Sequence, residues 1–424
     1  TESSSYADEY IRNFLSGEPI PGIAFEKAIY DQYVPSITLD EVNREIKTLI
    51  TPNKNEAVIL MASGSLKEKI SDEQLKDWVQ NAHNQKVSAY KDEVISSPLL
   101  PSLPSNSGKI VKESKSEIFG VGVWELQNGM TVIYKQTDYK NDEIRFYGNM
   151  LGGTSLAAPG KEYSADFASY IIEQSGVGNY DNIQISKFLS DKIVNVNLGI
   201  SEYNNTINGF CSPKDLEVAM QMIYAYIKFP RFDEKAFENT MSNYAAMLAN
   251  RGNDPESVFQ DSVNFILNSY HPRYKPNNVE DLKKVNHKDA YDFYKSSFGS
   301  VNGMRMVFVG NIPLDSFKIY VEKYLATLPS SDKSSSYKDL NVKTLAGNYS
   351  KIINKGIEPK SSVQMIYTGS FENNIKNRLE FNALMKLISI KLRENLREDK
   401  GGTYGVGAYN SIQRIPKSEY KVFI

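Results

Sequence analysis

The sequence predicts an α+β fold in which mainly antiparallel sheets are covered by helices. Two strand-like segments, 132–135 and 143–150, precede the first helix of the central region. A later helix, capped by Asn286, is followed by an alternating strand at 306–309. Neighbouring strands followed by a helix, together with a late helix–strand unit, favour an α+β sandwich over a parallel sheet of βαβ units.

The composition is that of an ordinary soluble protein. The 424 residues are 41% hydrophobic and 24% charged, with a formal net charge of −2. A chain of this length and hydrophobic content can bury a large core, in two or three domains. This charge balance gives no sign of a nucleic-acid or anionic-membrane partner. No apolar run approaches the roughly 20 residues that span a bilayer. The single Cys211 excludes an intrachain disulfide and argues against a cysteine metal cluster.

Two stretches rich in serine divide the chain. Residues 96–116 begin with a Pro/Ser-rich segment that has no helical or strand period, which indicates an extended linker. A second break, at 329–336, contains five serines. We therefore predict a head at 1–95, a central domain at 117–330 and a shorter tail at 331–424.

An internal repeat relates the head to the central domain. Thr38 and Glu41 form a capping-box pattern before a helix, and a predicted strand follows at 58–61. Asn286 and the strand at 306–309 repeat both features, and 286 − 38 and 306 − 58 both equal 248. The head is therefore expected to be the end of a domain homologous to the central one.

The central domain has its own local signals. A turn at 128–129 precedes the strand at 132–135. A helix is predicted to begin near Ser164 and to end at Gly176. Its helical spacing comes from Phe167, Tyr170 and Ile171.

The tail is predicted to contain a long helix and a tight turn. The helix has an apolar stripe at Phe381, Leu384, Met385, Ile388, Leu392 and Leu396. Arg397 lies at its end, and Gly401 and Gly402 can adopt the backbone angles that end a helix. Tyr404 is predicted to follow on a strand face that it shares with Val406 and Ala408.

The Arg397 and Tyr404 side chains have a possible chemical role. An arginine fork can bind a carboxylate or peptide carbonyl, and a phenol can donate to a carbonyl oxygen that becomes negative during hydrolysis. The alternative is structural, with a cation at a helix C-terminus and a half-buried aromatic in a strand. The residues alone favour that alternative, because a single Arg or Tyr is more often structural than functional.

The segment 396–405, Leu-Arg-Glu-Asp-Lys-Gly-Gly-Thr-Tyr-Gly, resembles a signature in the last domain of pitrilysin/insulinase-type (M16) zinc metallopeptidases. Further stretches resemble the third domain of bacterial single-chain members, at 148–180, 249–255, 271–273 and 308–311. The resemblance implies repeated α/β sandwich domains of the M16 (LuxS/MPP-like metallohydrolase) type. It implies the end of the second domain at 1–95, a complete third domain at 117–330 and a truncated fourth at 331–424.

The resemblance also shows what this chain lacks. In the family's first domain, a His-x-x-Glu-His motif on the corresponding helix binds zinc, because two His four residues apart share one helical face and the Glu activates water. The matching positions here include Asp166, Ser169 and Tyr170, and the segment 239–253 has no carboxylate for the family's third ligand. We expect structural or surface roles for the histidines, His83, His271 and His287.

The resemblance implies a division of labour between two halves of one bacterial enzyme. The N-terminal half would hold zinc and hydrolyse peptide bonds, and this chain, with no catalytic residue and no metal site, would close over peptide or unfolded-protein substrates. Substrate binding would fall to Arg397 and Tyr404, with Gly401 and Gly402 setting their geometry. The relatives imply an exported, for example periplasmic, protein.

Two alternatives remain open from the sequence. The chain could be a non-catalytic M16-like subunit that acts by binding and assembly, or a freestanding peptide-binding module. It begins without an initiator Met or signal peptide and ends in a predicted strand at 420–424, so we expect a piece of a longer protein. A His-x-x-Glu-His motif upstream would favour the single-chain enzyme.

Overall fold

A computed structural model of the protein describes residues 3–49, 56–61, 70–88, 95 and 97–424. The chain forms two compact units, Thr1–Glu93 and Val94–Ile424. The second unit contains both the central domain and the tail, so the boundary at 330 stays a prediction. Among the described helices, none combines the length and hydrophobicity needed to cross a bilayer.

The first unit is helical where it is described. Its helices are α1 (Ser3–Ser16), α2 (Ile23–Tyr33), α3 (Leu39–Leu49) and α4 (Asp72–Asn84). The capping box before α3 is confirmed, because the Thr38 N–H donates to Oε2 of Glu41 at 2.8 Å and the Glu41 N–H donates to Oγ1 of Thr38 at 3.2 Å. These four helices bury no residue, so the described part of this unit has no hydrophobic core of its own.

The strand predicted at 58–61 is wrong. Residues 56–61 have neither helix nor strand structure. An isolated apolar run becomes a strand only when a neighbouring strand satisfies its backbone groups, and none pairs with this run in the described residues. The internal repeat is therefore matched in its helix caps but not in its strands.

The second unit contains a seven-stranded sheet. Its strands are β1 (Ile110–Ser116), β2 (Val121–Leu126), β3 (Thr131–Gln136), β4 (Ile144–Leu151), β5 (Val194–Ile200), β6 (Asn204–Cys211) and β7 (Arg305–Gly310). They lie in the order β1-β2-β3-β7-β4-β6-β5. Only β3 and β7 run parallel, and the other five neighbouring pairs are antiparallel. The predicted α+β class is confirmed.

One face of this sheet is covered and the other is open. On β4 the buried Ile144 and Phe146 alternate with the exposed Arg145 and Tyr147, as the twofold period of a strand requires. The buried set packs against helices, and Phe146 lies 5.5 Å from the ring of Phe308 on β7. The hydrophobic core therefore lies between the sheet and its helical layer.

The helical layer is built from eight helices. They are α5 (Glu162–Ser175), α6 (Asn182–Phe188), α7 (Leu216–Lys228), α8 (Glu234–Arg251), α9 (Pro255–Leu267), α10 (Val279–Leu282), α11 (His287–Ser297) and α12 (Leu314–Tyr320). The predicted end of α5 is confirmed, since Gly176 has a left-handed φ of 84°. Asn286 caps α11 as predicted, because its side chain accepts the Asp289 N–H at 3.0 Å.

The C-terminal part of the predicted linker at 96–116 is a strand and not a linker. Residues 97–109 contain no helix or strand, but Ile110–Ser116 is β1, which pairs with β2. Leu99 and Leu100 are also buried in the core, and the Leu99 carbonyl accepts the Asn179 N–H at 3.0 Å. These two leucines attach the segment to the central domain, because burying them removes apolar surface from water.

The tail forms a smaller sheet with one long helix. Its strands are β8 (Ile366–Ser370), β9 (Tyr409–Gln413) and β10 (Glu419–Phe423), in the antiparallel order β8-β10-β9. Helix α13 (Ile375–Leu392) packs on this sheet through Phe381, whose ring lies 5.3 Å from Tyr420. The predicted apolar stripe is only partly correct, because Met385 is buried whereas Leu384 is 47% exposed.

Candidate functional site

The helix that includes α13 ends at glycines, as predicted. A π-helical segment, Arg393–Asp399, continues α13, and Gly401 then has a left-handed φ of 58°. The Gly401 N–H donates to the Arg397 carbonyl at 3.2 Å, and the Gly402 N–H donates to the Leu396 carbonyl at 3.0 Å. These bonds satisfy carbonyls that the helix end would otherwise leave open.

Tyr404 does not lie on a strand, so that prediction is wrong, and the same correction applies to Val406 and Ala408. Strand β9 begins only at Tyr409, which lies opposite Phe423, the last residue of β10. Among the described residues, those just before Tyr409 have no partner strand to fix them in extended geometry. Tyr404 instead lies in a bend with a fully exposed side chain.

A short local turn holds the backbone around Tyr404. The Thr403 hydroxyl donates to the Gly405 carbonyl at 2.9 Å and accepts the Gly405 N–H at 3.3 Å. A side chain that bonds its neighbours in this way stabilises a turn without a partner strand. The Tyr404 ring thus projects into solvent from a small hydrogen-bonded turn.

The Arg397 guanidinium is exposed and forms no hydrogen bond or ion pair with the residues that the structure describes. Two of the nearby acidic side chains are engaged elsewhere. Glu394 bonds Lys391 at 2.9 Å, and Glu398 lies 3.5 Å from Arg393. Arg397 therefore keeps its planar set of N–H donors available for a carboxylate or carbonyl ligand.

The structure brings Arg397, Gly401, Gly402 and Tyr404 onto one exposed turn. The phenol of Tyr404, like the guanidinium of Arg397, has no hydrogen-bond partner among the described residues, and the two side chains do not bond each other. The turn therefore offers two separate donors to an external ligand. This arrangement can bind an anionic or carbonyl oxygen, to which Arg397 supplies N–H donors and Tyr404 an O–H donor.

A second group of polar residues surrounds the helix position at which the resemblance places a zinc ligand. Asp166 on α5 accepts a hydrogen bond from Nη2 of Arg273 at 3.1 Å. The same guanidinium donates to the Thr154 hydroxyl at 2.9 Å and to the Thr154 carbonyl at 3.2 Å. A cationic side chain thus lies against Asp166, and the carboxylate is a hydrogen-bonded partner of Arg273.

The ionisation of Asp166 is set by two opposing effects. The side chain of Asp166 is 44% exposed, but desolvation by the protein around it still raises the pKa of Asp166 above its ordinary value. The attraction of Arg273 opposes this rise without cancelling it. Of the other two motif positions, Ser169 is half-buried and Tyr170 is 42% exposed. Within the described ranges, no group of three His, Cys, Asp or Glu side chains is placed to hold a metal ion.

The histidines have structural contacts, as predicted. His287 is stacked between Phe232 and Phe237, with ring centroids 3.8 and 4.6 Å away, and its Nδ1 lies 2.7 Å from Oε2 of Glu234. Its buried Nε2 has no hydrogen-bond partner among the described residues. Nδ1 of His271 accepts the backbone N–H of Arg273 at 3.3 Å.

His83 belongs to the first unit and makes a single polar contact there. Its Nε2 lies 3.4 Å from Oε1 of Glu56. One carboxylate beside one imidazole is a surface contact, whereas a metal site needs further ligands.

Sequence reasoning missed the pairing of Arg273 and Thr154 with Asp166. Both residues fall inside stretches that resemble the family's third domain, 148–180 and 271–273, but neither spacing nor residue type assigns them a partner. They are more than a hundred residues apart, so only the packed fold brings them together. In the sequence, the histidine–proline–arginine segment at 271–273 was the feature that could have drawn attention to Arg273.

A cavity of about 580 Å³ lies between the end of β4, helix α11 and the serine-rich segment at 331–336. It contains the ion pair of Lys161 with Asp289, whose atoms are 2.7 Å apart. Neither the Arg397 turn nor the Asp166 group lines this cavity. The candidate site therefore lies on an exposed turn rather than in the cavity.

The comparisons with known proteins agree with one another, because both the matching domain model and the similar proteins are described as peptidases or proteases. A model described as "Peptidase M16 inactive domain" matches residues 284–423. A "Zinc protease PQQL-like" protein from Arabidopsis thaliana is 24% identical over 421 residues, which is 95% of this chain and 41% of that protein. A "Probable zinc protease PqqL" from Haemophilus influenzae is 23% identical over 73% of this chain and 33% of its own length.

A solved structure has the same fold. The periplasmic protease PqqL from Escherichia coli is similar over 100% of this chain and 47% of its own chain, with a TM-score of 0.65 and 16% sequence identity. At this identity the likeness shows the fold alone. The chain spans less than half the length of each of these relatives.

Proposed function

We propose that this chain, which matches the M16 inactive-domain model at residues 284–423 and is similar to PqqL-like zinc proteases, is the non-zinc half of a zinc metalloendopeptidase of the M16 family. In this proposal the N-terminal half of the same polypeptide holds zinc and performs hydrolysis. This chain closes over peptide substrates and orients them. The names of the relatives, which are zinc proteases, support the assignment of the reaction class.

The observation that carries the proposal is the exposed turn between Arg397 and Tyr404. Both side chains are open to solvent, and neither has a hydrogen-bond partner among the described residues. A structural arginine or tyrosine would more often be packed or paired. Two free donors flanking a glycine turn suit a ligand that arrives from outside the chain.

The residues of α5 do not fit a zinc site. Asp166, Ser169 and Tyr170 replace the three functional positions of His-x-x-Glu-His, and a guanidinium rather than a ligand set faces Asp166. A positive side chain at this place opposes a second cation by direct repulsion.

The proposed role of the turn is to bind and polarise the substrate. The Arg397 fork would hold a peptide carbonyl or a terminal carboxylate and fix the register of the substrate. The Tyr404 hydroxyl would donate to the scissile carbonyl oxygen as it becomes negative. Such a donor contributes most in the transition state, so its loss should lower kcat more than it raises KM.

The Tyr404→Phe variant of the full-length protein tests this role. We expect turnover of a quenched peptide to fall on the order of a hundredfold, since one oxyanion donor is removed, while zinc content stays at the wild-type level. Tyr139→Phe is the matched control, because Tyr139 is also highly exposed, at 89%, and should keep full activity. Wild-type turnover in Tyr404→Phe with full zinc content would contradict the proposal.

Arg397→Lys tests the second donor independently. It keeps the positive charge and removes the planar fork, so we expect a higher KM for peptide substrates. Arg414→Lys is its control, since Arg414 is an exposed arginine on the same part of the chain. Equal KM values in the two variants would exclude a bidentate role for Arg397.

A further inference from the structure

The two edges of the seven-stranded sheet differ in their chemistry. Strand β1 forms one edge and carries Lys112, Glu113 and Lys115, and its register with β2 is irregular between Ile110 and Lys112. Charged side chains and irregular pairing are common devices that keep an edge strand from pairing with another chain. The β1 edge is therefore poorly suited to pairing with a strand from another chain.

The edge formed by β5 has none of these devices. Its sequence, Val-Asn-Val-Asn-Leu-Gly-Ile, contains no charged residue and no proline. All seven residues pair with β6 in an unbroken antiparallel register. An uncharged and regular edge of this length is a template for strand addition.

The direction of the β5 backbone groups follows from the bonds at its two ends. The Ile193 carbonyl accepts the Ser212 N–H, and the Ser201 N–H donates to the Asn204 carbonyl, each at 2.9 Å. Backbone groups of successive strand residues point to alternate sides, so the odd-numbered residues face β6. The outward N–H and C=O groups therefore belong to Val194, Val196, Leu198 and Ile200.

These four residues have no second strand to bond. In the described parts of the chain, no backbone or side-chain group outside the β5–β6 ladder bonds their outward N–H and C=O groups. Their side chains point to the core face, where Val196 and Leu198 are buried. The edge thus combines a rigid, packed strand with open donors and acceptors.

The side chains beside this edge indicate what an added strand would carry. On the open face, Asn195 and Asn197 are joined by an amide hydrogen bond of 2.7 Å. On the core face, Val194 and Ile200 remain partly exposed. An added strand would place apolar side chains beside these two residues and uncharged polar side chains beside the asparagines.

We propose that β5 binds an extended, uncharged segment of a peptide substrate as an eighth strand of this sheet. The inference rests on the proposed function, because the occupant is part of the substrate that the enzyme encloses. The main-chain bonds supply affinity, and alternation of apolar and polar side chains supplies selectivity. Charged segments bind poorly, because β5 offers no opposite charge to replace their hydration.

The test uses full-length protein with its zinc chelated and a fluorescein-labelled peptide of alternating valine and threonine. The variant Val194→Pro removes one outward N–H without removing a bond to β6, at the first residue of an edge strand, where proline is tolerated. We expect about tenfold weaker binding by fluorescence anisotropy. Val111→Pro on the β1 edge is the matched control and should bind like wild type.

Hydrogen exchange on the wild-type protein tests the same site and does not require that a variant folds. We expect the peptide to slow hydrogen exchange at the amides of Val194, Val196, Leu198 and Ile200, and the same peptide methylated at alternate amide nitrogens to leave them unprotected. Undiminished binding to Val194→Pro, or bound peptide without this protection, would overturn the proposal. A concentration-dependent dimer that Val194→Pro abolishes would also overturn it, because the occupant would then be a second copy.

The test of peptide binding at β5 and the test of the proposed role of Tyr404 can fail independently of each other. Tyr404→Phe reports on turnover, whereas Val194→Pro reports on binding of the strand-like peptide. A loss of turnover in the first with normal binding in the second retains the orienting role and rejects the β5 site. Normal turnover in Tyr404→Phe with protection at β5 retains peptide binding and rejects the oxyanion role.

Discussion

Asp166 is the residue at which this chain departs most clearly from a metal-binding helix. Its carboxylate lies against the Arg273 guanidinium, which is only 15% exposed and also binds the Thr154 hydroxyl. The pair joins α5 to the segment before α10 and to the loop after β4. On α5 this structural ion pair lies at a position to which the resemblance assigns a zinc ligand.

Removal of the guanidinium should destabilise the protein. In Arg273→Ala, Asp166 and Thr154 lose a charged donor while Asp166 stays partly desolvated, so we expect the free energy of unfolding to fall by about 2 kcal/mol. Urea denaturation measures this change. Arg305→Ala is the control, because Arg305 is an exposed arginine that should tolerate truncation. Equal midpoints for the two variants would show that the Arg273 contacts contribute nothing.

The raised pKa of Asp166 gives a pH dependence with a definite sign. The folded state favours the protonated carboxyl, so this group stabilises the fold below its unfolded pKa and that stabilisation is lost as pH rises through the folded pKa. A neutral amide does not titrate. Relative to wild type, Asp166→Asn should therefore gain stability as pH rises from about 3 to 7. A difference that is constant with pH, or that falls, would contradict this sign.

At the scale of elements, local signals succeeded where they were sufficient. The caps at Thr38 and Asn286 and the helix ends at Gly176 and Gly401 depend on neighbouring residues alone, and all four are confirmed. The strands predicted at 58–61 and at Tyr404 failed. A strand depends on a partner elsewhere in the chain, and residues before Tyr409 have none.

Gly401 allows a direct test at this scale. Its φ of 58° disfavours a Cβ atom, so Gly401→Ala should lower stability by roughly 1–2 kcal/mol and displace the turn that carries Tyr404. Gly405→Ala is the matched control, since Gly405 has open space around it and no left-handed φ. Thermal unfolding compares the two. A similar melting temperature for both would show that the left-handed turn is not required.

At the scale of the whole molecule, the chain is less than half as long as its relatives. The first unit has no buried residue in its described helices, and the second has a complete core around the seven-stranded sheet. Under the proposed function, hydrolysis requires residues outside this chain. The same requirement follows from the Arg273–Asp166 pair, which leaves α5 without zinc ligands.

The chain alone should therefore have no peptidase activity. With added zinc we expect no turnover of a quenched peptide, because neither the ligands nor the general base of the family motif occur on α5. The full-length protein serves as the positive control under the same conditions. Turnover by the chain that a chelator abolishes would contradict this expectation and would require a metal site elsewhere.

The α+β class, the resemblance to M16 peptidases, and the helix caps and ends could all be predicted from the sequence, because they depend on local pattern and on motifs that keep their order. It also placed Arg397 and Tyr404 at the end of one helix. Packing and strand pairing in the folded chain set the bend at Tyr404, the contact of Arg273 with Asp166 and the edge position of β5. Each of these depends on which distant segments pack or pair, and local residue pattern does not specify such partners.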